Sequence, residues 1–212
     1  MGLFRSLLST MSAGGGGLPN DYQEVQYLIF DGASYIDTNW DITTGMIADI
    51  VVAPVDNSEQ YLAGAVRISW PTLRSHLAIY SGEIQMGVGE YDYSSYISPT
   101  SNQVYHIVGC TISGNNYLNI DDVNYVTEDT TYNLTTDPQR CYVGAVEGLD
   151  LDKGLKGKMY SCLIYDETQT LIRNFVPCYR KSDSVIGMYD LVNGVFYTNS
   201  GYGTLDKGPD VV

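Results

Sequence analysis

The residues with the most chemistry to offer lie between Trp70 and Tyr96. The run Tyr91-Asp92-Tyr93-Ser94-Ser95-Tyr96 combines phenol rings, hydroxyls and one carboxylate. Tyr and Ser together make adaptable recognition surface, rigid aromatic area beside rotating hydrogen-bonding groups. Sugar rings have apolar faces that stack on aromatic rings, and their hydroxyls need polar partners such as Asp92. Tyr91 and Tyr93 share a parity, so a strand here would put both on one face. Trp70, with Arg74 nearby in the loop-like stretch Ser69-Trp70-Pro71-Thr72-Leu73-Arg74, reads either as the cap of a site or as a side chain that closes the core. Tyr91, Asp92, Tyr93, Tyr96, Trp70 and Arg74 are therefore the expected glycan-binding set. The plainer alternative is an ordinary strand pair whose tyrosines pack on the domain.

The pattern for catalysis is poor. A glycosidase needs two carboxylates flanking the scissile bond. Glu147, Asp150 and Asp152 fall in a glycine-bounded, loop-like stretch, and Asp166 and Glu167 are adjacent, so a strand would point them to opposite faces. The two histidines are His76 and His106. His106 lies in an apolar run and reads as structural, whereas His76 opens a strand and reads as a surface residue. No nucleophile elbow, zinc-protease helix motif or phosphate-binding loop is present. The expectation is a protein that is not an enzyme, with no cofactor and no metal.

Composition sets the frame for these residues. The chain has 212 residues, with 11 Lys and Arg against 25 Asp and Glu, a net charge of −14. That charge disfavours nucleic acid and anionic membrane surfaces as partners. There is no apolar run of about 18 residues, so no membrane-spanning helix and no membrane insertion are expected. Arg5 interrupts the apolar start, which argues against a signal peptide. Cys110, Cys141, Cys162 and Cys178 form no Cys-x-x-Cys pair and read as buried free thiols. The 19 Tyr and 22 Gly favour strands and turns.

The strands implied are short and numerous, about a dozen by alternation and turn signals. Hairpins are expected at Asp31-Gly32, Ser81-Gly82, residues 113–116, Asp121-Asp122, residues 167–170 and Val192-Asn193-Gly194. Residues 203–212 read as an exit tail. Ahead of the strands, Leu3, Phe4, Leu7, Leu8 and Met11 share one helical face, followed by a glycine tether at 14–17. This segment reads either as a frayed terminal tail or as an apolar assembly arm that needs a partner to bury it. The fold class is all-β, a two-sheet antiparallel β-sandwich with a short N-terminal arm.

Two stretches carry a family resemblance. LPNDYQEVQYLIFDGASYIDTN (18–39) and GKMYSCLIYDETQTLIRNFVPCYRKSDSVIGMYDLVNGVFYTNSGYGTLDKG (157–208) resemble the opening and ending of concanavalin A-like, laminin-G-type modules. Such modules occur in tail, fibre, head-decoration and surface proteins of phages and prophages of gut bacteria. The resemblance implies a jelly roll over residues 18–208, with residues 1–17 as arm and tether and 209–212 as tail. It implies a non-catalytic virion component, made in the host cytoplasm and present in many copies. Other virion proteins would bind the arm, and the sandwich would meet a host-surface glycan. Laminin-G-type modules sometimes hold a rim calcium, for which Asp150 with Asp152 or Asp121 with Asp122 are the candidates. The alternatives are a decoration or assembly protein without ligand, and a glycoside hydrolase.

Overall fold

The computed structural model describes residues 17–67, 72–129, 131, 138–148 and 151–212. The arm residues Leu3, Phe4, Leu7, Leu8 and Met11, together with Trp70 and Asp150, lie outside the described residues. The strands are β1 (Tyr22–Glu24), β2 (Leu28–Asp31), β3 (Ile36–Ile42), β4 (Ile47–Pro54), β5 (Gln60–Arg67) and β6 (Leu73–Tyr80). They continue as β7 (Glu83–Gly89), β8 (Tyr91–Ser94), β9 (Tyr105–Ile112), β10 (Asn115–Ile120), β11 (Val123–Glu128) and β12 (Gln139–Val143). The last are β13 (Lys156–Tyr165), β14 (Leu171–Arg180), β15 (Ile186–Asp190), β16 (Val195–Thr198) and β17 (Asp206–Lys207).

They form two antiparallel sheets. The larger runs β11-β10-β9-β4-β13-β14-β15-β16, with β1 on β14, β2 on β13 and β17 on β2. The smaller runs β3-β12-β5-β6-β7-β8. The chain is an all-β sandwich, as its alternation predicts. In β7, Ile84, Met86 and Val88 are buried in the core between the sheets, while Gln85, Gly87 and Gly89 take the alternate positions facing outward. Fully burying each such apolar side chain contributes about 1.5–3 kcal/mol. Packing across the sandwich is close: a Cβ on Gly109 of β9 would lie 2.2 Å from a methyl of Leu77 in β6. Ser75 and Thr111, one from each sheet, hydrogen-bond at 2.6 Å inside the core. These contacts fix which face of β6 points inward.

The turns at Ser81-Gly82 and Asp121-Asp122 are two-residue hairpin loops, with both residues of each at positive φ. Asp31-Gly32 differs from expectation. It is no hairpin, because β2 belongs to the larger sheet and β3 to the smaller. The Asp31 carboxylate instead holds a corner, accepting from the amides of Ala33 and Ser34 at 3.0 Å and Thr204 at 2.6 Å. The closing segment also departs from the exit-tail reading. β17 pairs β2, Leu205 is buried, and the Val211 amide donates to the Glu24 carbonyl at 2.9 Å. A buried apolar residue and open strand edges retain the chain there.

Candidate functional site

The outer face of the smaller sheet is where chemistry collects. Strand pairing places Gly64 opposite His76, His76 opposite Gly87, and Gly87 opposite Asp92. One row across four strands thus carries His76 between two bare backbones, with Asp92 beyond the second. The imidazole of His76 lies over Gly87, where a Cβ would come within 2.3 Å of its Cε1. Arg74, two residues before His76, shares its face. Its Nε lies 3.1 Å from Asp92 Oδ2, and its Nη1 donates to the Glu90 carbonyl at 2.9 Å.

These groups line a cavity of about 140 Å³ with Tyr61, Val66, Thr72 and Tyr80. Tyr61 meets the His76 ring edge-on at 5.5 Å. Tyr61, Val66, Ala78 and Val146 pack together as a small apolar cluster of their own, apart from the main core.

Electrostatically the site is neutral but polar. His76 is only 4% exposed. Burial, reinforced by Arg74, pushes its pKa down to about 3, so the ring is uncharged at neutral pH. Its Nε2 stands 3.6 Å from Asp92 Oδ1, too long for a hydrogen bond, and its Nδ1 has no partner among the described residues. Burial raises the pKa of the Asp92 carboxyl, and Arg74 beside it pulls the other way. Burial also lifts the Tyr61 phenol to about 12, with Glu59 and Asp92 adding to the shift.

Of the six residues expected from the sequence, Arg74 and Asp92 meet here. Tyr91 and Tyr93 do not. Residues 91–94 form the edge strand β8, so Asp92 points to one face and the two tyrosines to the other. Tyr91 and Tyr93 approach each other at 6.4 Å; Tyr93 packs against the core and Tyr91 is 60% exposed. Tyr96 is 83% exposed at positive φ, beyond the end of β8. Arg74 lies inside β6, which begins at Leu73, and not in a loop.

One of the two histidines departs from its expected place, and the other is a satisfied strand histidine as expected. His76, read as a surface residue, is buried. His106, read as structural, is partly exposed on the outer face of the larger sheet, with Nε2 2.8 Å from Asp49 Oδ1. The Asp49 hydrogen bond and charge raise its pKa despite partial burial. The sequence reading also missed Tyr61, Tyr80 and Gly87. The Arg74-x-His76 spacing beside Gly87-x-Gly89 was the available signal.

The other carboxylates are engaged locally. Glu147 accepts the Arg140 amide, and Asp166 accepts the amides of Thr168 and Thr170 at 2.9 Å in its turn. Asp121 accepts the His106 amide at 2.9 Å, and Asp152 lies in a short 3₁₀ turn. Among the described residues, no group of three or more His, Cys, Asp or Glu is placed to hold a metal ion.

Neither a protein-family profile nor a curated protein sequence matches the chain. Solved structures do resemble it. A candidate carbohydrate binding protein from Bacteroides ovatus matches with a TM-score of 0.59 and 12% identity, over 90% of this chain and 62% of that one. The heptameric SAP-like pentraxin from Limulus polyphemus matches with a TM-score of 0.55 and 9% identity, over 88% of this chain and 95% of that one. The shared fold is a two-sheet antiparallel jelly roll. The chain spans 62% of the length of the Bacteroides protein. At these identities the likeness concerns the jelly roll alone.

Proposed function

We propose that this jelly roll is a non-catalytic glycan-binding module. The observation that carries the reading is the outer-face cavity. It sets the paired Arg74 and Asp92 beside the rings of Tyr61, Tyr80 and His76. Such a combination offers donors and acceptors for sugar hydroxyls and aromatic surface for the ring. The structural likeness to a candidate carbohydrate binding protein from Bacteroides ovatus supports it. Among the described lining residues Asp92 is the single carboxylate, which does not supply the pair that glycoside hydrolysis needs. The sequence resemblance extends the proposal to a phage or prophage virion. There, residues 1–17 attach the module to virion partners and many copies turn weak sugar contacts into avidity.

The test is a multimerised, fluorescently labelled protein applied to gut-bacterial cells and an array of bacterial surface glycans. Saturable binding that a defined sugar competes, and that Arg74→Ala and Asp92→Ala abolish, supports the reading. A folded, multivalent protein that binds no glycan overturns it.

A second reading, a structural building block without ligand, is favoured by the outer face of the larger sheet. Val51, Val108, Tyr117, Tyr165 and Val176 are half-buried there, where a solvent-facing sheet usually carries polar side chains. Light scattering would separate the two: concentration-dependent assembly without glycan binding favours the building block.

A further inference from the structure

A second group of side chains shares the outer face of the smaller sheet. The pairing row that carries His76 continues past Gly64 to Tyr142 of β12 and Asp37 of β3. Tyr35, two residues before Asp37, takes the same face. Its ring stacks on that of Tyr142, with centroids 4.6 Å apart and planes inclined by 26°. Neither ring lines the cavity: Tyr142 lies two strands from His76, about 10 Å at ordinary strand spacing.

Beside this stack the chain presents a third ring. The Asn199 carboxamide accepts from the amides of Tyr35 at 3.2 Å and Gly201 at 2.9 Å, and donates to the Gly203 carbonyl at 2.6 Å. The amides of Ser200 and Gly203 donate to the carbonyls of Tyr35 and Ala33. A Cβ at position 201 would lie 2.1 Å from the Ala33 carbonyl oxygen and 2.9 Å from the Tyr35 ring, and one at position 203 would lie 2.2 Å from the Asp31 carboxylate. Residues 199–203 are thus held tightly against 31–35, with a glycine required on each side of Tyr202. Yet Tyr202 itself is 90% exposed. A lone exposed tyrosine is ordinary surface. An exposed ring on a pinned loop, next to a stacked pair, is a preorganised aromatic patch.

Polar groups border the patch. Arg140 pairs with Asp41 at 2.6 Å and stands 3.7 Å from Asp37, and Glu147 accepts the Arg140 amide. Three carboxylates therefore surround one guanidinium. Burial, with Glu147, Tyr35 and Asp37 adding to it, pushes the Tyr142 phenol up to about 12, so it keeps its proton at neutral pH. Donors and acceptors beside aromatic faces suit a sugar, and the excess of carboxylates repels an acidic one.

We infer that Tyr35, Tyr142 and Tyr202 form a second sugar contact on this module, separate from the cavity and selective against acidic sugars. The inference rests on the glycan-binding reading proposed above but not on the cavity as its place. Tyr202 supplies the stacking face, and Asp37, Glu147 and Arg140 hydrogen-bond the hydroxyls.

The experiment screens the full-length protein on an array of neutral, amino-sugar and uronic-acid oligosaccharides. The best-bound oligosaccharide is then titrated into the Tyr202→Ala, Tyr202→Phe and Arg74→Ala variants by calorimetry. The expected result is a neutral or amino-sugar ligand whose affinity falls about tenfold in Tyr202→Ala, a change of about 1.4 kcal/mol, and stays within about threefold in Tyr202→Phe. Both Tyr202 variants should keep the melting temperature of the unmodified protein, because the ring is exposed. Loss in Tyr202→Ala with full binding by Arg74→Ala supports the inference and removes the cavity as the site. Unchanged binding in Tyr202→Ala, or selection of uronic-acid chains by the unmodified protein, overturns the inference and leaves glycan binding standing. Binding to no oligosaccharide overturns both.

Discussion

At the residue scale, the two histidines carry opposite electrostatics. His76 is buried beside Arg74 and its pKa falls to about 3. The unfolded chain, with an ordinary histidine near 6.5, binds the proton more readily. His76 therefore carries almost no protonation penalty at pH 7, and stability is lost as pH falls from about 6.5 toward 3. His106 runs the other way. Asp49 raises its pKa, so its stabilising effect is complete below about 6.5 and fades as pH rises through the raised value. Ring-proton NMR titration checks both: His76 should stay neutral to below pH 4, and His106 should titrate above 6.5. A His76 midpoint near 6.5 would mean that the ring is solvated. Gly87→Ala tests the same site sterically. Its Cβ would collide with the imidazole, so a stability loss of about 1–3 kcal/mol and displacement of His76 are expected, read by denaturant unfolding and by the same NMR signals.

At the element scale, the sandwich is tied by a buried ion pair. Arg173 of β14 stands 3.6 Å from Asp190 of β15 and donates to the Thr38 carbonyl of β3 at 2.9–3.0 Å. Asp190 also accepts the amides of Asn174 and Val192 and the Asn193 side chain. It thus shapes the β15–β16 hairpin and helps join the two sheets. Removing one partner strands the other charge in the core. Asp190→Ala should cost about 3–5 kcal/mol in chemical denaturation, and Arg173→Met with Asp190→Leu should cost less than Asp190→Ala alone. Equal losses would mean that the pair is not coupled. Asp190 and Asn193 lie in the stretch that carries the family resemblance, so part of that similarity has a structural cause.

At the scale of the whole molecule, the first and last strands close the larger sheet together. Tyr22 pairs Arg180, Leu28 pairs Lys207, and Val25 bridges Asp210. Partners so distant in sequence predict slow folding, in milliseconds to seconds, measurable by stopped-flow fluorescence. Truncation before Leu205 should remove about 1.5–3 kcal/mol through that side chain alone, along with the amide bonds of Gln26, Gly208 and Val211. An unchanged melting temperature on truncation would restore the exit-tail reading.

Alternation and turn chemistry are local, so the sequence by itself determined the strands, the tight turns and the all-β class. Ile84, Met86 and Val88 announce one buried face of β7, and Ser81-Gly82 supplies the two positive φ values its hairpin needs. The same parity rule put Tyr91 and Tyr93 together. What it did not reveal was the sheet to which each strand belongs. Asp31-Gly32 has hairpin composition, yet the chain changes sheets there, because Asp31 finds the Thr204 amide 173 residues away. The site is likewise a product of register. His76 comes within 3.6 Å of Asp92 only because Gly87 falls level between them, and that alignment is set by strand pairing. Val146 meets Tyr61 and Val66 only where its loop folds back onto β5. Local sequence specifies which way a side chain faces along its own strand. Which side chains it meets is decided by packing, and only the tertiary structure contains that information.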